Sequence, residues 1–360
     1  MADIQLSDSI SIKSSIRDYN VFFERNYLSR LSKDYIDGDL IILDSNISLL
    51  NPDIIIRYPN SLTIESNELS KSYLVISTII DQIISKDFRR DNKLIAIGGG
   101  IIQDITAFIA SVLYRGVEWI FYPTNVLSQC DSCIGSKTSI NFNKYKNLLG
   151  GFYPPKHIVI DTTFLKTLNK LDIASGLGEI LHYCLVSSKA DFELFLKLSG
   201  EILKNVDTIN PLLQRSLLIK KEMIEIDEFD KGPRNIFNYG HSFGHALEST
   251  LNYDIPHGIA VSFGIDIANI ISNKYKYLSI SKRNEYRKGC EVVFSNFKLP
   301  EIDVNIFINA LMRDKKNKEN KLGLILTKEA GDMFLDYCNL EEVKPILINY
   351  FSNKLFLIDL

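Results

Sequence analysis

The chain has 360 residues, of which 46% are hydrophobic and 24% charged, a balance typical of folded proteins that gives room for two domains with separate cores. The formal net charge is −3 and basic residues form no long run, so the charge pattern does not favour a nucleic-acid partner. Since no apolar stretch has membrane-spanning length and the first residues lack a signal-peptide pattern, we expect a cytoplasmic protein without a membrane partner.

The first third of the chain predicts alternating strands and helices. Short apolar runs at Leu40–Asp44 and Ile54–Tyr58 predict strands, and apolar residues at helical spacing between Asn67 and Ser85 predict an amphipathic helix. Asp44 ends the first of these strands. A carboxylate in this position can accept hydrogen bonds from a ribose, although acidic residues at strand ends are often only solvated.

A glycine-rich turn follows the next predicted strand. The run Lys93–Ile97 leads into Gly98-Gly99-Gly100 and then into a segment from Ile101 to Leu113 that suits a helix. A strand, a glycine turn and a helix allow backbone N–H groups to approach a phosphate. Three glycines are not the full dinucleotide fingerprint, however, and the same turn also fits a purely structural role.

The middle of the chain contains a long polar stretch between two strands. Trp119–Pro123 and Ile158–Asp161 have strand patterns, and residues 124–151 between them predict a loop rich in glycine, lysine and asparagine. Such a loop suits an anionic substrate or a solvated surface. Cys130 and Cys133 have C-x-x-C spacing but no second such pair, so neither a redox pair nor a zinc site is favoured there.

Helical periodicity dominates from Phe164 onward, which places a predicted domain boundary after Asp161. His241 and His245 are four residues apart and would share one face of a helix, with His257 following after a turn. Glu179 supplies a carboxylate for a Glu/His/His metal site with His241 and His257. A lone pair of histidines at this spacing also recurs by chance.

Taken in order, these segments resemble the 3-dehydroquinate synthase family, the sugar-phosphate cyclases, over roughly residues 40 to 330. The resemblance rests on motifs that are specific in order and spacing: Gly98-Gly99-Gly100 with Asp104, Tyr114-Arg115-Gly116, Pro123-Thr124 with Asp131-Ser132, Gly135-Ser136-Lys137-Thr138, Lys146-Asn147 with Gly150, Asp161 with Phe164 and Thr167, Gly178-Glu179, Arg234 with Asn238, His241 with His245, and His257-Gly258.

The resemblance implies an NAD-binding α/β domain at residues 1–161, a mostly helical metal- and substrate-binding domain at 162–360, and an active site between them. It implies that zinc, or cobalt, is bound by Glu179, His241 and His257. The positions that match NAD contacts are Asp44, Glu68, Lys71, Gly99, Gly100, Asp104, Thr124, Lys146 and Thr167. The positions that match catalytic groups are Lys137, Lys220, Arg234, Asn238 and His245, and those that match substrate contacts are Arg115, Asp131, Asn147, His182 and Lys315.

The implied activity is that of a lyase in aromatic amino acid biosynthesis, which converts 3-deoxy-arabino-heptulosonate 7-phosphate into 3-dehydroquinate. In this family NAD is reduced and reoxidised within one turnover, while phosphate is eliminated and the ring recloses as a carbocycle. The resemblance gives His245 a role in substrate binding or proton transfer rather than in metal binding. Arg115 matches an arginine that reaches the substrate phosphate of a neighbouring subunit, which implies a homodimer.

The chain departs from the usual pattern at three positions. Dehydroquinate-forming members usually carry lysine where this chain has His182, glycine where it has Ser136, and threonine where it has Asn125. Retention of Lys220 and Arg234 favours a carboxylated substrate. The change at His182 favours a specialised cyclase that acts on another sugar phosphate, such as sedoheptulose 7-phosphate, and a metal-dependent polyol-phosphate dehydrogenase is the alternative from another class.

Overall fold

A computed structural model describes residues 6–143, 145–314, 316–319 and 321–357. Lys315, one of the predicted substrate contacts, lies outside the described residues. The chain forms two compact units. The first comprises the residues up to Thr167 together with Lys220–Phe229, and the second comprises Leu168–Ile219 and the residues from Asp230 onward.

The first unit is built on a seven-stranded sheet. Its elements, in chain order, are β1 (Ser9–Ile12), β2 (Tyr19–Glu24), α1 (Tyr27–Asp34), β3 (Leu40–Asp44), α2 (Ser45–Leu50), α3 (Asp53–Arg57), β4 (Ser61–Ile64), α4 (Tyr73–Ser85), β5 (Leu94–Gly98), α5 (Gly100–Val112), β6 (Trp119–Pro123), β7 (Lys137–Phe142), β8 (Tyr145–Phe152) and β9 (His157–Asp161). The strand order is β1-β2-β9-β6-β5-β3-β4, and only β1 pairs antiparallel to its neighbour.

The central strands of this sheet are buried along their whole length. Every residue of β3, β5, β6 and β9 is buried, as expected for parallel strands that are covered on both faces. Their continuous apolar runs are what the sequence showed, and these four predicted strands are confirmed. Because parallel strands end at one edge of a sheet, Asp44, Gly99 and Thr124 lie along the carboxyl edge, where open α/β sheets bind ligands.

Two sequence-based element predictions for this unit were wrong, and a third was correct for most of its length. The run predicted as a strand at Ile54–Tyr58 lies largely in the short helix α3: Ile54 and Tyr58, one turn apart, are buried, whereas Ile56 is 78% exposed. The helix predicted between Asn67 and Ser85 is confirmed over Tyr73–Ser85. It begins after Ser72, whose side chain accepts a hydrogen bond from the first turn of α4, and Glu68–Lys71 form a separate short 3-10 turn.

The second error concerns residues 124–151, where the predicted loop is structured. Ser128–Ser132 form a short π-helical turn, and β7 pairs antiparallel with β8 in a separate hairpin. The buried positions of β7 alternate with more exposed ones over part of its length. This weak alternation was masked in the sequence by the many polar residues.

The second unit is mostly helical, as predicted. Its elements are α6 (Lys170–Ser187), α7 (Lys189–Ile202), α8 (Asn210–Ile226), α9 (His241–Thr250), α10 (His257–Lys274), α11 (Ile280–Phe294), α12 (Val304–Leu311), β10 (Lys321–Glu329), β11 (Asp332–Asn339) and α13 (Leu340–Ser352). The last residues of α8, from Lys220, belong to the first unit. The antiparallel hairpin β10–β11 was not predicted.

Helices α6 and α10 form the centre of the second unit. Both are buried along almost their entire length, which requires apolar or small residues on all sides rather than on one stripe. Among the described residues, none of the helices combines the length and the apolar character needed to cross a membrane.

Candidate metal centre and active site

Three predicted metal ligands meet in the second unit. Glu179 lies on α6, His241 is the first residue of α9 and His257 is the first residue of α10. Glu179 Oε2 is 3.6 Å from His241 Nε2 and 3.8 Å from His257 Nε2. Ligands of a tetrahedral zinc ion are separated by about 3.3–3.5 Å when the metal–ligand bonds are about 2.0–2.1 Å long. The three atoms therefore have nearly the spacing that a zinc ion requires.

The second ring nitrogen of each histidine is already engaged. His241 Nδ1 lies 3.2 Å from the backbone oxygen of Tyr239, and His257 Nδ1 lies 3.1 Å from Glu248 Oε1. Each of these oxygens accepts a hydrogen bond, so in the neutral imidazole Nδ1 carries the hydrogen and Nε2 keeps a lone pair. Metal-bound histidines have this arrangement, in which an outer oxygen fixes the tautomer and the ring direction.

Glycine contacts bring the ligand-bearing helices together. A Cβ atom on Gly178 would lie 2.1 Å from the backbone oxygen of Gly258, and one on Gly258 would lie 1.7 Å from that of Ser175. The Ser175 hydroxyl also accepts a hydrogen bond from the Gly258 N–H. Only glycine allows α6 and α10 to approach this closely, and the approach places Glu179 beside His257.

The turn before α9 depends on a different property of glycine. Gly240, immediately before His241, has φ of 79°, in the left-handed region that other residues rarely adopt. The turn therefore starts α9 at His241. With His257 at the start of α10, two helix N-termini lie at the predicted metal ligands and favour negative charge there.

Charge in this cluster favours an ionised Glu179. Burial opposes its ionisation, but His241 and His182 outweigh this effect and hold the pKa of Glu179 well below its usual range. Glu248 is also held below its usual pKa, because the hydrogen bond and charge of His257 outweigh the effect of burial. Glu179 Oε2 is buried and accepts no hydrogen bond from the residues that the structure describes. A buried carboxylate oxygen in this state fits a bound cation.

His245 lies beside the metal cluster without completing it. Its ring centroid is 5.5 Å from that of His241 and 5.8 Å from that of His257. Although the residue is exposed overall, reduced hydration of its ring, together with the charges of His241 and His257, lowers the pKa of His245 to about 4. His245, Glu248 and His257 are also close enough to share a cation, but Glu248 already holds His257 Nδ1.

His182, a predicted substrate contact, lies among aromatic side chains. It is fully buried on α6, with Nδ1 at 3.3 Å from Glu179 Oε1, and its ring packs against those of Tyr183, Phe237 and His241. Arg234 is also buried and, with Asn238, lies on the short helix Pro233–Asn238 that leads to α9. The substrate contacts predicted for His182, Arg234 and Asn238 stay predictions.

In the first unit, several predicted NAD contacts follow the carboxyl ends of the sheet strands. Asp44 ends β3, Gly99 and Gly100 follow β5, and Thr124 follows β6. Gly99 precedes α5 without any side-chain cap, so the N–H groups of the first turn are not covered by a capping side chain. A Cβ atom on Gly99 would lie 2.4 Å from Asn125 Nδ2. This uncapped helix start fits a dinucleotide phosphate.

A second group of predicted NAD and substrate contacts forms one polar network. Lys71 Nζ lies 2.8 Å from both Asp104 Oδ2 and Asn147 Oδ1. Asn147 is also held by Ser139, whose hydroxyl is 3.0 Å from the same amide oxygen. Burial raises the pKa of Asp104, while the charge of Lys71 opposes that shift. The network brings residues of four separate elements into contact around one lysine.

Glu68 and Lys146 lie next to this network. Asn141 on β7 donates a hydrogen bond of 2.8 Å to Glu68 Oε1, and Lys146 Nζ is 3.9 Å from the same oxygen. Asn141 Oδ1 in turn accepts a hydrogen bond from the backbone N–H of Asn147. The hairpin β7–β8 is thus joined to the segment that carries Glu68 and Lys71.

The remaining predicted residues of the first unit lie in separate places. Lys220 is buried, and its Nζ is 2.7 Å from both Oδ1 and the backbone oxygen of Asp131. Lys137 and Arg115 are exposed, at the start of β7 and after α5 respectively. The Thr167 hydroxyl donates to the backbone oxygen of Phe164. Asp131 and Lys220 are therefore in direct contact.

Sequence reasoning assigned no role to three residues that hold these groups in place: Glu248, Ser139 and Asn141. Glu248 had a detectable signal, since it lies seven residues after His241 and therefore on the same face of α9. Ser139 and Asn141 alternate on β7, but this pattern was hidden when the segment was interpreted as a loop.

Comparison with solved structures defines the class of fold. The chain aligns with a 2-deoxy-scyllo-inosose synthase solved with carbaglucose-6-phosphate, NAD⁺ and Co²⁺ (TM-score 0.83, 23% identity, 94% of this chain and 99% of that one). It aligns similarly with ValA, a 2-epi-5-epi-valiolone synthase from Streptomyces hygroscopicus with NAD⁺ and Zn²⁺ bound (TM-score 0.85, 21% identity, 96% and 99%). A glycerol dehydrogenase from Schizosaccharomyces pombe is more distant (TM-score 0.60, 14% identity, 93% and 90%). The chain thus has the two-domain fold of the sugar-phosphate cyclases.

Sequence comparison gives the family. Models described as 3-dehydroquinate synthase N-terminal and C-terminal match residues 61–175 and 176–317. The 3-dehydroquinate synthase of Pelagibacter ubique is 34% identical over 356 residues, covering 89% of this chain and 92% of the relative. That of Alkaliphilus oremlandii is 34% identical over 337 residues, covering 88% and 91%. The chain belongs to the 3-dehydroquinate synthase family of enzymes.

Proposed function

We propose that this chain is an NAD- and metal-dependent lyase that converts 3-deoxy-arabino-heptulosonate 7-phosphate into 3-dehydroquinate. The observation that carries this proposal is the cluster of Glu179, His241 and His257, in which the Glu179 oxygen lies 3.6 and 3.8 Å from the two Nε2 atoms. Membership of the family supports this reaction, and the donor set supports a metal site that would serve it.

Glu179, His241 and His257 would hold the metal, zinc or cobalt. One carboxylate and two neutral imidazoles leave further coordination positions open, which is the pattern of catalytic rather than structural zinc sites. A bound zinc ion would act as a Lewis acid that polarises an alcohol or carbonyl oxygen, and NAD⁺ would accept and return a hydride. Glu248 and the Tyr239 carbonyl keep the two imidazoles oriented for this task.

Residues of the first unit would bind NAD at the carboxyl edge of the sheet. The uncapped start of α5 at Gly99 and Gly100 would receive the phosphates, and the buried carboxylate of Asp44 would accept hydrogen bonds from a ribose. Lys71 and Asp104 hold the adjacent polar network together and would line the site beside α5. Thr124 and Thr167 complete the proposed NAD contacts.

Cationic and amide side chains would bind the anionic substrate. Lys220 and Arg234 are suited to its carboxylate, since arginine can bind a carboxylate with two parallel hydrogen bonds. Asp131 holds the Lys220 ammonium in place at 2.7 Å. His245, whose ring lies beside those of His241 and His257, would accept or donate a proton during the reaction. Lys137, Asn147 and Asn238 are the further proposed contacts.

A homodimer and a cytoplasmic location also form part of the proposal. Arg115 is exposed at the end of α5, as required of a residue that reaches the substrate phosphate of a second copy. All five cysteines are free and buried, which suits a reducing compartment. Light scattering after size-exclusion chromatography would test the dimer, and a monomeric mass at assay concentration would exclude a shared phosphate site.

A cyclase that acts on another sugar phosphate is the second candidate. It is favoured by His182, which stands where dehydroquinate-forming members usually carry lysine. The experiment is to incubate the purified protein with zinc, NAD⁺ and one substrate at a time, and to measure released phosphate and the carbocyclic product. Phosphate from 3-deoxy-arabino-heptulosonate 7-phosphate supports the first candidate.

Phosphate released only from sedoheptulose 7-phosphate or glucose 6-phosphate would replace the first candidate by the second. NADH that accumulates without phosphate would contradict both and indicate a dehydrogenase. Glu179→Ala is the matched control, because it removes the carboxylate ligand and should abolish both zinc retention and phosphate release.

A further inference from the structure

The two oxygens of Glu179 face different groups. Oε2 faces the Nε2 atoms of His241 and His257, at 3.6 and 3.8 Å. Oε1 lies 3.3 Å from His182 Nδ1. His182 follows Glu179 by three residues on α6, a spacing that brings side chains onto neighbouring positions of one helix face. The carboxylate is therefore enclosed between the two metal-binding histidines on one side and His182 on the other.

The short contact defines which part of the His182 ring faces the carboxylate. A nitrogen lone pair and a carboxylate oxygen repel each other at this distance, whereas an N–H group attracts the oxygen. A hydrogen on Nδ1 is therefore favoured, and the 3.3 Å approach to Oε1 is a close polar contact rather than a directed hydrogen bond. The side chains of both residues are almost completely buried, at 0% exposure for His182 and 3% for Glu179, so water does not weaken the interaction.

Packing fixes the position of the His182 ring. Its centroid is 4.8 Å from the His241 ring and 5.1 Å from the Tyr183 ring, with edge-to-face angles of 75° and 63°. Phe237 closes another side at 5.9 Å. A ring held by three aromatic neighbours loses little further freedom when it holds a carboxylate, so it is a suitable fixed support.

This environment differs from that of a group that binds substrate. A substrate-binding cation needs a path to the bound molecule, and the His182 side chain is fully enclosed. The imidazole of His182 is short enough to contact Glu179 one turn away, at 3.3 Å. A lysine would extend further from the helix axis before presenting its charge.

We propose that His182 is a positioning residue that holds Glu179 Oε1, so that only Oε2 is presented to the metal. The inference rests on the proposed metal site and adds a residue that controls it. Without this support, the Glu179 carboxylate would be free to rotate or to offer both oxygens. Outer groups that orient a metal ligand typically change metal affinity by about 10–100-fold when they are removed.

The test compares zinc affinity in variants of the full chain by competition with a chromophoric chelator. His182→Phe keeps a ring but removes the N–H donor, and we expect zinc to bind about 10–100-fold more weakly. His182→Asn places an amide N–H near the position of Nδ1 and should restore most of the affinity. Cys184→Ala is the matched control, because Cys184 is an equally buried residue of α6 on another face of the helix.

Cobalt provides a second readout that does not depend on activity. The visible absorption of bound Co²⁺ reports the number and arrangement of its ligands, and we expect the spectrum of His182→Phe to differ from that of the wild type. The spectra of His182→Asn and Cys184→Ala should match the wild type. Circular dichroism checks that each variant is folded before metal is added.

The outcomes separate this inference from the proposed function. A wild type that binds zinc, together with a folded His182→Phe variant of equal zinc affinity and an unchanged cobalt spectrum, would overturn the positioning role alone. Equal losses in His182→Phe and His182→Asn would also overturn it, because the donor would then be irrelevant. A wild type that binds no zinc would overturn the metal site itself.

Discussion

Replacement of Gly258 by alanine should force helices α6 and α10 apart and separate the proposed metal ligands Glu179 and His257. The added Cβ would lie 1.7 Å from the Ser175 backbone oxygen and 2.7 Å from its carbonyl carbon. Since folded proteins essentially never show such contacts below 3.0 Å, the backbones must separate by at least about 1.3 Å. Both colliding atoms are backbone atoms, so no side-chain rotation can relieve the overlap.

The shift is large compared with the tolerance of a metal site. Metal–ligand distances vary by only about 0.2 Å, and a shift of about 1.3 Å would separate Glu179 on α6 from His257 on α10. Overpacking of this kind also costs about 1–3 kcal/mol or more in the free energy of unfolding. We therefore expect a lower Tm and a loss of at least about 100-fold in zinc affinity.

The assay measures Tm and zinc affinity for Gly258→Ala and for Gly200→Ala. Gly200 is an exposed residue of α7 whose added Cβ would meet no atom within 4 Å. Alanine is favoured over glycine within helices by roughly 0.5–1 kcal/mol, so this control should be neutral or slightly stabilising. A Gly258→Ala variant with wild-type Tm and wild-type zinc affinity would refute the proposed close approach of α6 and α10.

Other consequences of the structure can be measured separately. Glu248→Ala removes the acceptor for His257 Nδ1 and should weaken zinc binding about 10–100-fold. Glu248→Gln keeps an acceptor oxygen and should lose less zinc affinity. Equal losses of affinity in the two variants would contradict the orienting role of Glu248. Burial raises the pKa of Asp34, but the hydrogen bonds and charges of His157, Tyr122 and Arg30 outweigh this effect and lower it. The stability that Asp34 contributes is therefore present above its unfolded pKa of about 3.9 and is lost as the pH falls through the lower folded pKa. Asp34→Asn should therefore lower the free energy of unfolding at pH 7 by about 1–3 kcal/mol, with a smaller difference from wild type in strong acid, and a difference that does not depend on pH would contradict this reasoning. Removal of zinc by chelation should lower Tm, and the shift should grow with the zinc concentration used for comparison, since a ligand that binds only the folded state stabilises it by mass action.

The parts of the fold that were predicted correctly have strong local patterns. The strands β3, β5, β6 and β9 are short runs of buried apolar residues, and each pattern is complete within its own segment. The run at Ile54–Tyr58 has equally apolar residues, but its conformation is decided by the burial of Ile54 and Tyr58 on one side of a single helical turn. Composition alone does not reveal which side of so short a segment is covered.

The sequence predicted the three candidate metal ligands but not the residues, such as His182 and Glu248, that contact them. Glu179, His241 and His257 have distinctive side chains at family positions, so their meeting could be anticipated. The 3.3 Å contact between His182 and Glu179 depends on the rotation of α6 and on three aromatic neighbours far apart in the sequence. The polar network around Lys71 likewise joins separate elements, which no local pattern specifies.

Turnover per molecule of NAD tests the proposed function most directly. The protein, loaded with zinc, is mixed with excess 3-deoxy-arabino-heptulosonate 7-phosphate and with less NAD⁺ than enzyme, and phosphate and NADH are followed together. Because the hydride returns to the substrate within each cycle, we expect many molecules of phosphate for each NAD⁺ and no lasting NADH. Phosphate release that stops at or below one equivalent of NAD⁺, with NADH formed in equal amount, would contradict the cyclase mechanism.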